Sequence, residues 1–220
     1  MPALNLSPPA LVRQLRADER GFATTHAPRL AQDRQSILRM LGRDAPLARA
    51  VIRLAPSERD DVQARLDLQA LSASTPPLRV RIRIGAAAPE ASLLAWYREG
   101  ERRFGVRWQV LAAVNFVESG FGKVRNNSVS GAQGPMQFIP ATWRAYGLGG
   151  DVHDPHDAIL GAANYLAANH GRTDIRTALW HYNPSHLYVD AVMRYAHRMT
   201  TVKWAFDEYY RWRIYIRRAG

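Results

Sequence analysis

In the stretch NFVESGFGKVRNNSVSGAQGPMQF, residues 115–138, one carboxylate, Glu118, closes an apolar run, and a segment rich in glycine, serine and asparagine follows. Helical spacing puts Leu111, Val114, Asn115 and Glu118 on one stripe, so the acid points where the core points. Burial without a cationic partner disfavours the charged form of a carboxylate and raises its pKa. The nearest basic neighbour in sequence, Lys123, lies beyond a glycine turn. An acid still protonated near neutral pH can donate to a glycosidic oxygen as a general acid. The competing reading is a Glu that swings out to solvent at the helix end, although the macrodipole disfavours an acid there.

The following segment is too polar for core and too long for a tight turn. Gly131 and Gly134 permit positive φ and close approach of backbone to a ligand. Met136, Gln137 and Phe138 then supply a thioether, an amide and an aromatic face. Sugars ask for that mixture, with hydroxyls and N-acetyl groups to bond and flat apolar faces to cover. Ordinary glycosidases use two carboxylates, about 5–5.5 Å or 6.5–9.5 Å apart. The obvious second acids are Asp151, Asp154 and Asp157, and the last two are accounted for by helix capping.

Other chemistries find little support. The chain has no cysteine, which removes disulfides, thiol nucleophiles and cysteine metal sites. Seven histidines are present, but no HExxH occurs and His153 and His156 flank a proline-started helix, so no metal is expected. GLGGD lacks the lysine of a phosphate loop, and Ser119 lacks a G-x-S-x-G elbow. No cofactor is expected. The formal charge of +11, nearly all of it from Arg, favours polyanions: nucleic acid, anionic lipid or acidic cell-wall polymers. A non-catalytic polyanion-binding helical protein is therefore the reading from another class. The aromatic residues discriminate, because Trp143, Tyr146, Tyr165, Trp180 and Tyr182 fall in the Glu118 region and the arginines mostly elsewhere. A nucleic-acid binder would interleave the two, so no nucleic acid is expected.

The elements that must position Glu118 read as helices. Residues 10–72 carry helical periodicity with breaks near Pro28, Gly42 to Pro46 and Pro56, and Ser57 is a candidate N-cap. SASTPP reads as a linker. From about residue 86 to 205 the pattern is again helical, with Asp154 and Ser185 as N-caps and Gly171 after a helix end. Two segments differ. LRVRIRIG, around residues 79–84, and YRWRIYIRR, around 210–216, alternate apolar residues with mostly Arg at a period of two, which predicts strands. The simplest pairing joins them as a two-stranded antiparallel clasp. The expected organisation is an N-terminal helical extension over 1–76, a linker or strand over 77–89, a catalytic domain over 90–205 and a C-terminal strand or tail over 206–220. The start lacks a basic region followed by an apolar core, so it does not read as a signal peptide, and no window has the apolar length of a membrane span.

The ordered blocks ESGFG, NSVSGAQGPMQF and HYN resemble the lysozyme-like lytic transglycosylase family, and the run from Ile139 to Leu166 resembles its actinobacterial-type members. The similarity covers roughly residues 90–200. It implies a mainly α, lysozyme-like (goose-type/transglycosylase) helical domain acting on peptidoglycan glycan strands in the cell envelope or outside the cell. Glu118 matches the catalytic acid/base and Ser119 its neighbour. Ser128 matches the serine before Gly131-Ala132, Met136 and Gln137 the Met-Gln pair lining the sugar cleft, and Tyr182 and Asn183 the Tyr-Asn block. The family's tyrosine approaches the catalytic carboxylate, which places the Tyr182 hydroxyl within hydrogen-bond reach of Glu118. The chain departs from the pattern at Pro135, where many members have Leu, and at His181, where many have Ala. The resemblance also implies that one acid suffices. It protonates the bridging oxygen between N-acetylmuramic acid and N-acetylglucosamine, and the substrate's N-acetyl group supports the cation. The same acid then takes the proton of the sugar's 6-hydroxyl, leaving a 1,6-anhydro end. The alternative on the same fold is hydrolysis, as in goose-type lysozymes.

Overall fold

Proline and glycine punctuate the chain where the helices begin and end. A computed structural model describes residues 7–74 and 81–215. Three helices, α1 (Pro8–Thr25), α2 (Pro28–Leu41) and α3 (Ala45–Leu54), each open with Pro in the first turn, where its missing N–H costs nothing. Asp44 caps α3 by accepting from Leu47 N at 3.0 Å. Pro56–Glu58 is a 3-10 turn leading into α4 (Arg59–Ser74), so Ser57 sits inside that turn and is not an N-cap. Part of the expected linker, Ser72 to Ser74, is the end of α4; the rest of it lies outside the described residues.

The second half contains α5 (Glu90–Phe104), α6 (Trp108–Ser119), α7 (Pro140–Tyr146), α8 (Pro155–Ala168), α9 (Ile175–Tyr182), α10 (His186–Thr201) and α11 (Ala205–Arg211). Asp154 caps α8 and Ser185 caps α10, as their positions predict. The fold is mainly α. Helix α6 is mostly buried and α8 is buried along its middle, and α10 packs against both α4 and α6. No helix among the described residues is long and apolar enough to cross a membrane.

A buried ion network fastens α2 and α4 to α10 and α11. Arg34 bonds Asp61 at 2.6 Å and Glu208 at 2.9 Å, and its Nη2 lies 2.7 Å from Glu58. Arg198 reaches Asp61 at 2.9 Å, Glu208 at 2.8 Å and Glu19 at 2.9 Å. The Tyr209 hydroxyl also donates to Asp61.

Among the described residues the expected clasp does not form. Residues through Arg211 are helical in α11, and Ile84 instead makes an antiparallel bridge with Val124. Arg79, Val80 and Ile216 lie outside the described residues. The physical reason is visible in the competing partners. Asp207 pairs with Arg211 across one helical turn at 2.7 Å, and Glu208 is claimed by the ion network. After the helix, Gln35 acts as a strand would: its amide donates to Arg213 O at 2.8 Å and accepts from Arg213 N at 2.9 Å. The Lys123 ammonium donates to Tyr210 O at 2.5 Å and Trp212 O at 2.8 Å, tying down carbonyls at the end of α11. With its backbone groups met in this way, the tail does not need a partner strand.

Candidate active site

Glu118 lies in the last turn of α6, and Gly120, at φ 61°, ends that helix two residues later. A Cβ at Gly120 would lie 2.6 Å from Ile214 Cδ1, so glycine is needed both for the turn and for the tail above it. The stripe behaves as its spacing predicts, since Leu111, Val114 and Asn115 are buried and Glu118 is half-buried. Its Oε1 accepts from the Tyr188 hydroxyl at 2.7 Å. Burial pushes the Glu118 carboxyl up to about 7, and the Tyr188 bond offsets only part of that rise. No cation or second carboxylate among the described residues contributes to its titration. Lys123 is turned towards the tail carbonyls, and its own burial, helped by Arg211, brings it down to about 8.

The tyrosine beside the acid therefore comes from the first turn of α10, not from the Tyr-Asn block. Tyr182 donates instead to Met136 O at 2.6 Å, and its ring lies parallel to Tyr188 with centroids 6.5 Å apart. The expected Tyr182–Glu118 bond is thus replaced by a relay of position: Tyr182 holds the loop, and Tyr188 holds the acid. Local periodicity could not reveal Tyr188, because the contact spans 70 residues of sequence. The usable signal was the Ser185 cap, which places Tyr188 in the first turn of an amphipathic helix.

The other candidate residues divide into those that build the loop and those that line it. Ser119 is buried; its hydroxyl donates to Pro135 O at 2.5 Å and accepts from Gly122 N at 2.8 Å. It clips the end of α6 to the loop and has no free face for a sugar. Ser128 closes a turn by accepting from Ala132 N at 2.9 Å, and its hydroxyl lies 2.9 Å from Ser130 Oγ. Gln133 and Phe138 form a bridge that folds residues 133–138 into a tight hairpin. Within it Gln137 takes φ 51° and donates its amide to Gly134 O at 2.9 Å. A Cβ at Gly134 would collide with the Val152 carbonyl, which is the close backbone approach the glycine permits.

Met136 and Phe138 are buried. Phe138 packs on Trp143, Tyr165 and Tyr182, and Tyr146 packs edge-on to Tyr165. Trp180 stands apart, exposed and paired with His186. Asn183 ends α9 and is half-buried, and its amide makes no hydrogen bond among the described residues. Asp154, His156 and Asp157 bring potential ligand atoms within 4.8 Å of one another. Each is already committed: Asp154 caps α8, Asp157 accepts from Asp151 N, and His156 bonds Glu99 at 2.8 Å.

A half-buried, uncompensated Glu at a helix end, held by Tyr188 and followed by a serine clipped to a glycine-rich hairpin, is an arrangement for acid chemistry on a polysaccharide. Residues 96–204 match the family model of the transglycosylase SLT domain. This segment is a transglycosylase SLT domain. The SLT domain indicates transglycosylase activity on peptidoglycan, and the helical fold is that expected of it. Searches of curated proteins and of solved structures each returned no match. The matched segment contains Glu118, the hairpin and Tyr188; α1 to α4 and α11 lie outside it.

Proposed function

We propose that the chain is a lytic transglycosylase that cleaves the bond between N-acetylmuramic acid and N-acetylglucosamine without water, with Glu118 as its acid and base. The observation that carries this reading is a carboxyl raised to about 7 by burial, with a tyrosine as its hydrogen-bond partner and no charged group shifting it. Glu118 gives its proton to the bridging oxygen as the C1–O bond breaks, and the departing sugar leaves as an alcohol. The substrate's N-acetyl group shares the positive charge left on C1. The 6-hydroxyl of the same sugar then attacks C1 and returns its proton to Glu118, so the acid is regenerated and a 1,6-anhydro ring closes. Water is replaced by an internal nucleophile, and its effective molarity drives the second step.

Tyr188 orients the carboxylate through both proton transfers, a positioning role. Gln137, Tyr182 and Asn183 border the sugar chain, and the buried Met136 and Phe138, with Ser119 and Ser128, shape the loop that presents them. The catalytic unit is read as residues 90–205, and the cell envelope or its exterior as the place of action. The test is mass spectrometry of digested peptidoglycan. Anhydro-ended fragments about 18 mass units (one water) lighter than hydrolysis products support the reading. Reducing ends alone would make the protein a lysozyme-type hydrolase.

A further inference from the structure

A cavity of ≈ 230 Å³ opens beside Glu118, and most of its lining residues lie outside the matched family segment. Glu118 and Val117 form one side; Arg39 of α2, Arg65 of α4 and Arg213 of the tail face it. We infer that this cavity is a subsite for a carboxylate-bearing substituent of the glycan, the stem peptide of the N-acetylmuramic acid placed at Glu118. This inference rests on the reading of Glu118 as the catalytic acid.

The charge arithmetic is lopsided. The lining holds Arg39, Arg65, Lys123 and Arg213 against one acid, Glu118. None of the three arginines forms an ion pair among the described residues. Arg39 instead lies over the Tyr215 ring at 3.5 Å. Burial lowers the Arg39 pKa, and Arg65 and Arg43 nearby add to that fall. On the same helix, Arg34 is surrounded by Glu58, Asp61 and Glu208. The chain thus supplies acids to one buried arginine and withholds them from the arginines facing the cavity.

The substrate's chemistry supplies what is missing. N-acetylmuramic acid carries its peptide on a lactyl group at C3, a few bonds from the scissile oxygen, and that peptide carries carboxylates. Guanidinium forks suit such groups better than any other cation, through paired N–H donors. Arg213 is placed by the Gln35 and Lys123 bonds to the tail, so the two ends of the chain build this wall together.

The experiment compares kcat/KM on stem-bearing glycan strands and on strands of equal length stripped of peptide by an amidase. The parent enzyme is expected to prefer stem-bearing strands about tenfold or more, and the Arg39→Gln/Arg213→Gln enzyme to lose most of that ratio. Arg39→Lys should restore part of it. In parallel, calorimetric titration of Glu118→Gln protein with a free stem tripeptide should show binding that weakens when the peptide carboxylates are amidated. A parent ratio near one, a variant that slows both substrates equally, or indifference to amidation would overturn the inference. Turnover by Glu118→Gln would instead overturn the catalytic reading, so the two failures are distinguishable.

Discussion

Helix α10 contributes to two buried carboxylate sites of opposite character. Near its end, Arg198 joins Arg34 among Glu19, Glu58, Asp61 and Glu208; in its first turn, Tyr188 meets Glu118. Burial acts in the same direction on both. At Asp61 it would raise the pKa, but Arg198 and Arg34 override it and hold the carboxyl below its ordinary value. At Glu58 burial wins over Arg34, and the pKa is raised. At Glu118 no cation intervenes, and the carboxyl reaches about 7. The difference teaches that depth alone does not make a catalytic acid. The chain makes one by leaving the Glu118 carboxyl without an ion pair, while Arg198, further along α10, pairs with acids that hold the fold together.

The largest break in this comparison is expected from Glu118→Gln. The amide fits a site that already holds a neutral acid, so folding and wall binding persist while turnover falls by about a thousandfold or more. Assays on purified peptidoglycan check it; activity within tenfold of the parent would end the assignment. Arg34→Met attacks the other site. It leaves Asp61, Glu58 and Glu208 short of positive charge in the core, at a cost of about 3–5 kcal/mol. Thermal melting should show a fall of roughly 10 °C; an unchanged melting temperature would mean the network is ornamental.

Tyr188→Phe is expected to act on rate by a smaller amount, about ten- to a hundredfold in kcat, because the acid survives but loses its positioning partner. The sign of its pH effect is specific. The Tyr188 bond lowers the Glu118 pKa, so its removal should move the basic limb of the pH–rate profile to higher pH. Tyr182→Phe should leave that limb in place, since Tyr182 donates to the Met136 carbonyl. A shifted limb in Tyr182→Phe and none in Tyr188→Phe would reverse the two roles.

Much of this was legible in local patterns. The breaks at Pro28, Gly42 and Pro56, the Asp154 and Ser185 caps and the inward stripe of Glu118 all follow from spacing within a few residues. What spacing misread involves partners far along the chain. The Arg-aromatic alternation at 210–216 looks like a strand, but Glu208 is bound to Arg34 and the Arg213 backbone to Gln35, both on α2. Tyr188 was overlooked for the same reason, and so was the pairing of Arg34 with Arg198 around shared acids. Each is a contact between helices, and helical periodicity says which face is buried without saying against what.

The smallest effect is the proton linkage of Glu118 itself. Its pKa rises from the ordinary 4.5 to about 7 on folding, so the folded chain binds a proton more tightly than the unfolded one. Below pH 4.5 both states are protonated and the group is neutral to stability. Between those values stability falls as pH rises, and above about pH 7 the full penalty of holding a buried charge remains. Because the side chain is only half-buried, about 1–2 kcal/mol is expected, less than the shift alone implies. Glu118→Gln carries no such penalty. Its melting temperature should match the parent's near pH 4.5 and exceed it by a few degrees at pH 8. The same two curves for Asp61 should run the other way, since a lowered carboxyl contributes stability at neutral pH that is lost on acidification. A Glu118→Gln gain that is constant across pH would show that the amide merely packs better, and that the acid does not titrate near 7 in the folded chain.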